Sequence, residues 1–256
     1  MTTSSEAIEI AVEKGKVAGT VLSPEARKPG VLFVHGWGGS QESDLIRAKR
    51  IAALGCICLT FDLRGHGDTL AQQQTVSRAD NLRDVIAAYD VLANNPDIDR
   101  SAIAVMGNSY GAYLASILST QRPVKWLALS VPALYRDAEW DVPKRQLDRE
   151  DLAEYRSMQV ISSENRALAA CAQFEGDVLL VEAEHDHLVP HETIMNYRRA
   201  FEKAHSMTHR IVDGADHAMT SEICQQAYTS VLSAWAIEMI VGRRVGFMES
   251  SMLRAP

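Results

Sequence analysis

A chain of 256 residues with 26 Lys and Arg, 33 Asp and Glu and a formal net charge of -7 is 46% hydrophobic and 23% charged. That is the composition of an ordinary globular protein, and it excludes fibrous, disordered and disulfide-stapled classes. The acidic balance argues against a nucleic-acid partner, because a phosphate backbone needs an excess of basic side chains opposite it.

The length allows a large core, and residues 1–256 are read as one α/β domain with decorations. Residues 1–13 hold no basic segment followed by an apolar stretch, and no apolar run approaches membrane-spanning length. No membrane partner is therefore expected, and the cytoplasm is the expected compartment. Cys56 and Cys58 stand two apart in an apolar run, where a strand puts both on one face. With Cys171 and Cys224 they are read as reduced core residues.

In chain order, short β-type runs at 7–12 and 16–22 around Lys14-Gly15 predict an opening hairpin, and the stretch 24–30 breaks it. Apolar runs at 31–34, 56–61, 102–106, 126–130 and 178–183 fit buried parallel strands. Between them, 44–54, 79–92 and 110–119 carry apolar residues at helical spacing with turn residues at their edges. A run at 210–212 and a helix over 221–240 complete the sheet and its cover, with a frayed tail expected after Val241. Strands alternating with helices imply a mostly parallel central sheet flanked by helices. Residues 132–176 interrupt the alternation: the stretch is long, rich in both signs of charge and helical in composition from Arg149 onward, and is read as a small helical lid insertion. No internal repeat or low-complexity tract is present.

Gly107-Asn108-Ser109-Tyr110-Gly111 follows one of the predicted strands and opens a predicted helix, the setting that gives G-x-S-x-G its meaning. A serine on so tight a strand-to-helix turn takes a strained backbone, and a glycine two residues to either side leaves room for it. Alone, the pattern arises by chance in somewhat under about one chain in ten of this length, so its companions decide. His35-Gly36-Trp37-Gly38-Gly39 follows the strand at 31–34 and belongs on the same sheet edge. The Trp37 N–H, beside that of Tyr110 at the start of the helix, would donate to an oxyanion forming next to Ser109.

A serine hydroxyl needs a base, and the base needs an acid to hold its tautomer. Asp186 follows the strand at 178–183, and His217 follows the run ending at Val212. Ser109, Asp186, His217 is the serine, acid, histidine order of α/β-hydrolases. With Phe61-Asp62-Leu63-Arg64-Gly65-His66-Gly67 and the segment from Asp186 to Pro190, these motifs make the chain resemble the α/β-hydrolase family over nearly its whole length. Its small esterase, dienelactone-hydrolase-like and prolyl-oligopeptidase-like branches are the nearest in pattern. One departure is Ala112, where many relatives have a further glycine. The resemblance implies an α/β-hydrolase fold and a structural, bracing role for Arg64 and His66.

Several residues invite other readings. His185, His187 and His191 around Asp186 suggest a metal site, but the triad accounts for Asp186, and neither metal nor cofactor is expected. Asp216 adjoins His217, but sequence neighbours rarely point so that one can bond the other's ring, which leaves Asp186 the better acid. Tyr135, Trp140, Met158 and Phe174 either line a substrate pocket or pack the lid, with packing at least as favoured. Lys144, Arg145 and Arg149 are interleaved with acidic residues and are read as a solvated face rather than an anion site.

The expected activity is that of a serine carboxylesterase acting on a small-molecule ester through an acyl-enzyme. A thioesterase or small peptidase would use the same triad, and a non-catalytic binding protein would use the same fold. The peptidase ranks lower, because relatives of that kind usually carry a large N-terminal domain and only thirty residues precede Val31. Substrate-binding residues are not legible, and a homodimer is left open.

Overall fold

The computed structural model describes residues 3–24 and 28–252. Strands β1 (Thr3–Val12) and β2 (Gly15–Pro24) form the predicted antiparallel hairpin. They are followed by β3 (Lys28–Val34), α1 (Gln41–Ala53), β4 (Ile57–Phe61), α2 (Arg78–Ala93), β5 (Ile98–Asn108), α3 (Tyr110–Leu118) and β6 (Trp126–Ser130). Helices α4 (Arg149–Arg156) and α5 (Arg166–Gln173) then precede β7 (Asp177–Ala183), α6 (His191–Ala200), β8 (Ser206–Val212) and α7 (Glu222–Met252). Of the predicted break over 24–30, Pro24 ends β2 and residues 28–30 already belong to β3, while 25–27 lie outside the described residues, as does the end of the chain, 253–256.

The eight described strands make one sheet in the order β1-β2-β4-β3-β5-β6-β7-β8. β2 pairs antiparallel with β4, and every neighbour from β4 through β8 is parallel. The central strands are buried on both faces because helices cover both, so their sequences are largely apolar. Alternation splits each strand between two cores. Leu32, Val34, Ile103, Val105, Leu127, Leu129, Val178 and Leu180 face α2, α3, α5 and α6. Val31, Phe33, Ala104, Met106, Trp126, Ala128, Leu179 and Val181 face α1 and α7. Cys56 and Cys58 lie on the latter face, buried and reduced. The edge strand β8 is polar and largely unburied, which discourages a further strand from adding there.

Several elements differ from the sequence reading; β5, for one, starts at Ile98 rather than at 102. Helix α6 was not predicted, although Thr193, Ile194, Tyr197 and Ala200 recur at helical spacing on its buried face. β8 starts at Ser206 instead of Arg210, because Met207 is the single apolar residue among its first four and gives no apolar run. The backbone of α7 continues past Val241 to Met252 rather than fraying, since no proline interrupts it and Arg243, Arg244, Met248 and Glu249 are good helix formers.

Residues 132–176 run between β6 and β7 as α4, α5 and three single-turn helical pieces, Asp137–Glu139, Lys144–Gln146 and Ser162–Glu164. Because β3 and β5 through β8 are parallel, the segments after them emerge on one edge of the sheet, and all the candidate site residues lie there. Among the described residues, no helix is long and apolar enough to cross a membrane.

Candidate active site

Ser109 joins β5 to α3 with φ 51 and ψ -109, a conformation that L-residues avoid. The two motif glycines are required by contact: a Cβ on Gly107 would meet the Ala112 Cα at 2.5 Å, and one on Gly111 would meet the Val34 carbonyl oxygen at 2.0 Å. Helix α3 is buried along its whole length, so it cannot shift to relieve the turn. The Ser109 N–H donates to the Ser130 carbonyl at 2.8 Å, and the Ala133 N–H donates to the Ser109 carbonyl at 3.1 Å. Val131, in the same exchange, has φ 42, and Met219, two residues past His217, has φ 50. Every described non-glycine residue with positive φ thus flanks this site. Val131 and Met219 carry no motif that would have singled them out.

The three residues chosen from sequence meet here. Ser109 Oγ lies 2.9 Å from His217 Nε2, and His217 Nδ1 lies 2.6 Å from Asp186 Oδ2. The other Asp186 oxygen accepts the Leu188 and Val189 N–H groups at 2.8 Å each. This carboxylate is 3% exposed and the imidazole 20%. Asp216 is turned elsewhere: its oxygens accept the Thr220 N–H and hydroxyl at 2.8 and 2.6 Å.

Gly36 rests against Ser109, since a Cβ there would come within 3.4 Å of the Ser109 Cβ. The following loop is closed by the Gly39 N–H donating to the Gly36 carbonyl at 3.0 Å. Tyr110 opens α3, where the first N–H groups have no partner within the helix. Among the described residues, neither the Trp37 nor the Tyr110 N–H donates within the protein.

Two histidines buttress the loop. Nε2 of His35 accepts the Leu63 N–H at 3.1 Å while its Nδ1 donates to the Gly36 carbonyl at 2.8 Å. Nε2 of His66 accepts the Gly38 N–H at 3.0 Å. These contacts fix both rings as neutral tautomers, and burial, then the neighbouring His35, pushes His66 down to about 4. Beneath them the buried Arg64 guanidinium donates to Asp84 at 2.6 Å, and Asn81 links Asp84 to the Tyr110 hydroxyl.

Among the described residues, no three His, Cys, Asp or Glu side chains converge to hold a metal ion. His185 and His187 point outward, whereas His191 pairs with Glu182 at 2.6 Å. Tyr135 and Phe174 are core residues, Trp140 packs against that core, and Met158 is exposed. Arg145 and Arg149 are exposed as expected of a solvated face. Lys144 is not: its ammonium lies 4.2 Å from the Trp37 ring centroid. No sequence signal marks that burial, because it depends on a contact between segments far apart in the chain.

The sequence model of the Alpha/beta hydrolase family matches residues 31–225. The Mycobacterium tuberculosis protein Rv2307c is 28% identical over 191 residues, covering 74% of this chain and 63% of its own length, so this chain spans under two thirds of that relative. In fold, a dienelactone hydrolase from Anabaena variabilis superposes with a TM-score of 0.68 at 20% identity, over 92% of this chain and 97% of the other. An esterase of Pyrococcus furiosus superposes with a TM-score of 0.67 at 19% identity, over 93% and 91%. With a family match running from the first strand of the parallel sheet into the last helix, this chain belongs to the alpha/beta hydrolase family.

Proposed function

We propose that this protein is a cytoplasmic serine hydrolase that cleaves small-molecule carboxylic esters through an acyl-enzyme intermediate. The observation that carries the reading is the continuous hydrogen-bonded chain Ser109, His217, Asp186. Among the described residues, the N–H groups of Trp37 and Tyr110 make no hydrogen bond within the protein.

Ser109 Oγ attacks the ester carbonyl while His217 Nε2 takes the hydroxyl proton. The imidazolium so formed is stabilised by the Asp186 carboxylate at Nδ1, which also prevents the ring from turning. Charge moves onto the former carbonyl oxygen, and the Trp37 and Tyr110 N–H groups donate to it. Such donors act because they are fixed before the charge develops. The intermediate collapses, His217 returns the proton to the leaving alkoxide, and the alcohol departs. Water then repeats the sequence on the acyl-serine, with His217 as its base, and releases the acid. Residues 132–176 act as a lid that shapes the pocket over Ser109, supported by the packing of Lys144 on Trp37.

The test is the rate on p-nitrophenyl esters of increasing acyl length for wild type and Ser109→Ala. The variant should lose up to about a millionfold in kcat and fail to react with a fluorophosphonate probe that labels the wild type. Undiminished hydrolysis by Ser109→Ala would refute the mechanism.

A further inference from the structure

Lys144 and Arg156, from the segment between β6 and β7, and Arg78, from the first turn of α2, converge on the Tyr135 ring without a carboxylate among them. Lys144 Nζ lies 4.2 Å from the Trp37 ring centroid, 5.0 Å from that of Tyr110 and 5.4 Å from that of Tyr135. The Arg78 and Arg156 guanidinium carbons lie 5.4 and 5.0 Å from the same Tyr135 ring.

Backbone contacts hold this arrangement. Arg78 opens α2, whose N-cap Ser77 makes a reciprocal capping box with Asp80. Ser77 forms a β-bridge to Pro143, and the Lys144 N–H donates to the Val76 carbonyl at 3.0 Å. Lys144 is thereby fastened beside Arg78.

The nearby carboxylates are committed to other partners: Asp80 and Asp84 to Arg64, Asp137 to Arg166, and Asp151 to Arg136. Arg156 uses its donors on the Leu134 and Leu188 carbonyls. Arg78 is 0% exposed and donates from Nη1 to the Arg136 carbonyl at 2.6 Å. Its Nε and Nη2 are buried without a well-formed hydrogen bond among the described residues, with only the equally unpaired Tyr113 hydroxyl interacting with the guanidinium.

Idle donors on a buried cation are costly, and an incoming anion would relieve that cost. The sign of the local field is visible at Tyr135. Burial pushes its phenol up, yet Lys144, Arg156 and Arg78 more than offset this and leave it below its ordinary value. Burial likewise pushes Lys144 down.

Resting on the reading of Ser109 as nucleophile, we propose that Lys144 and Arg78 bind a carboxylate carried by the substrate, so that the preferred esters are half-esters of dicarboxylic acids. Lys144 stands on the rings of Trp37 and Tyr110, the residues assigned to the oxyanion. A carboxylate there would sit a short aliphatic spacer away from the scissile carbonyl. The guanidinium fork of Arg78 matches two carboxylate oxygens, and the ammonium adds a point charge.

The test compares kcat/KM for monoethyl glutarate and ethyl pentanoate, matched in chain length and differing in the terminal carboxylate. The wild type should favour the anionic ester by about tenfold or more, and Lys144→Met should reduce that ratio by about tenfold, the effect of one charge-assisted hydrogen bond. Arg78→Lys keeps the charge and loses the fork, and should reduce the ratio as well. Exposed Arg145→Gln, which removes the same charge nearby, should leave it unchanged. Equal rates on the two esters, or a ratio unaltered in Lys144→Met, would overturn the proposal.

A binding readout separates this site from the chemistry. By calorimetry, glutarate should bind wild type and Ser109→Ala but not Lys144→Met, and neutral glutaramide should bind none. Lys144-dependent glutarate binding without hydrolysis of either ester would sink the hydrolase reading and keep the anion site. Hydrolysis without anionic preference and without glutarate binding would do the reverse.

Discussion

The Nε2 of His66 accepts the Gly38 N–H at 3.0 Å, tying the loop that presents Trp37 to the loop after β4. The bond needs a neutral ring, and burial holds the His66 proton affinity down to about 4 against an ordinary value of 6.5. A histidine with a depressed value does not penalise folding above pH 6.5. As pH falls from 6.5 to 4, the unfolded chain takes up a proton that the folded chain refuses, and stability declines. Below that window the accumulated loss is about 3 kcal/mol. Urea denaturation at several pH values checks this, and His66→Gln, which keeps an acceptor but cannot titrate, should remove most of the slope. An unchanged slope in the variant would assign the acid sensitivity elsewhere.

The elbow separates two kinds of glycine. Gly111→Ala drives a methyl to 2.0 Å from the Val34 carbonyl oxygen, where a β-strand backbone stands opposite a fully buried helix and neither can yield. We expect a loss of about 3 kcal/mol or more in denaturant unfolding, or no folded protein. Gly38→Ala meets nothing within 4 Å and costs only the strain of φ 81, about 1 kcal/mol. Any larger loss of hydrolytic activity on the proposed ester substrates in Gly38→Ala therefore reports on the loop beside Ser109 and not on folding.

Arg64 and Asp84 are both buried and bonded at 2.6 Å, with Arg64 also donating its backbone N–H to the second carboxylate oxygen. Arg64→Met leaves that carboxylate without its counter-charge and should destabilise by about 3–5 kcal/mol. Adding Asp84→Leu should recover a large part of the loss, because the cost lies in the orphaned charge more than in the absent bond. A double mutant no more stable than Arg64→Met would show that the pair is needed for its shape.

Much of this was legible beforehand for a physical reason: the parallel strands are buried on both faces, so 126–130 and 178–183 announce themselves as apolar runs. The candidate residues follow those runs at the same sheet edge, which is why Ser109 in its G-x-S-x-G setting, Asp186 and His217 could be chosen from motif, strand ends and order together. Local signals were also present for α6, where Glu192 stands in the first turn and Arg198 and Arg199 in the last. The Lys144 site was not legible. In sequence, Lys144 sits among acidic residues like any solvated lysine. Its burial depends on a bridge from Pro143 to Ser77 that no local pattern encodes.

The acid of the site can be tested against its neighbour. Asp186 Oδ2 meets His217 Nδ1 at 2.6 Å, and Oδ1 is held by two N–H groups that fix the carboxylate's rotation. In Asp186→Asn those same N–H groups keep the amide oxygen, which turns the NH2 toward His217. The imidazole must then present a lone pair at Nδ1 and carry its proton at Nε2, where it can no longer accept the Ser109 proton. A fall in kcat of about ten-thousandfold is expected, with little change in thermal stability, because the packing is isosteric. Asp216→Ala removes a carboxylate whose oxygens serve Thr220, so it should leave kcat near the wild-type value. Steady-state rates for both variants on one ester decide the assignment: a collapse in Asp216→Ala with activity kept in Asp186→Asn would move the acid role to Asp216.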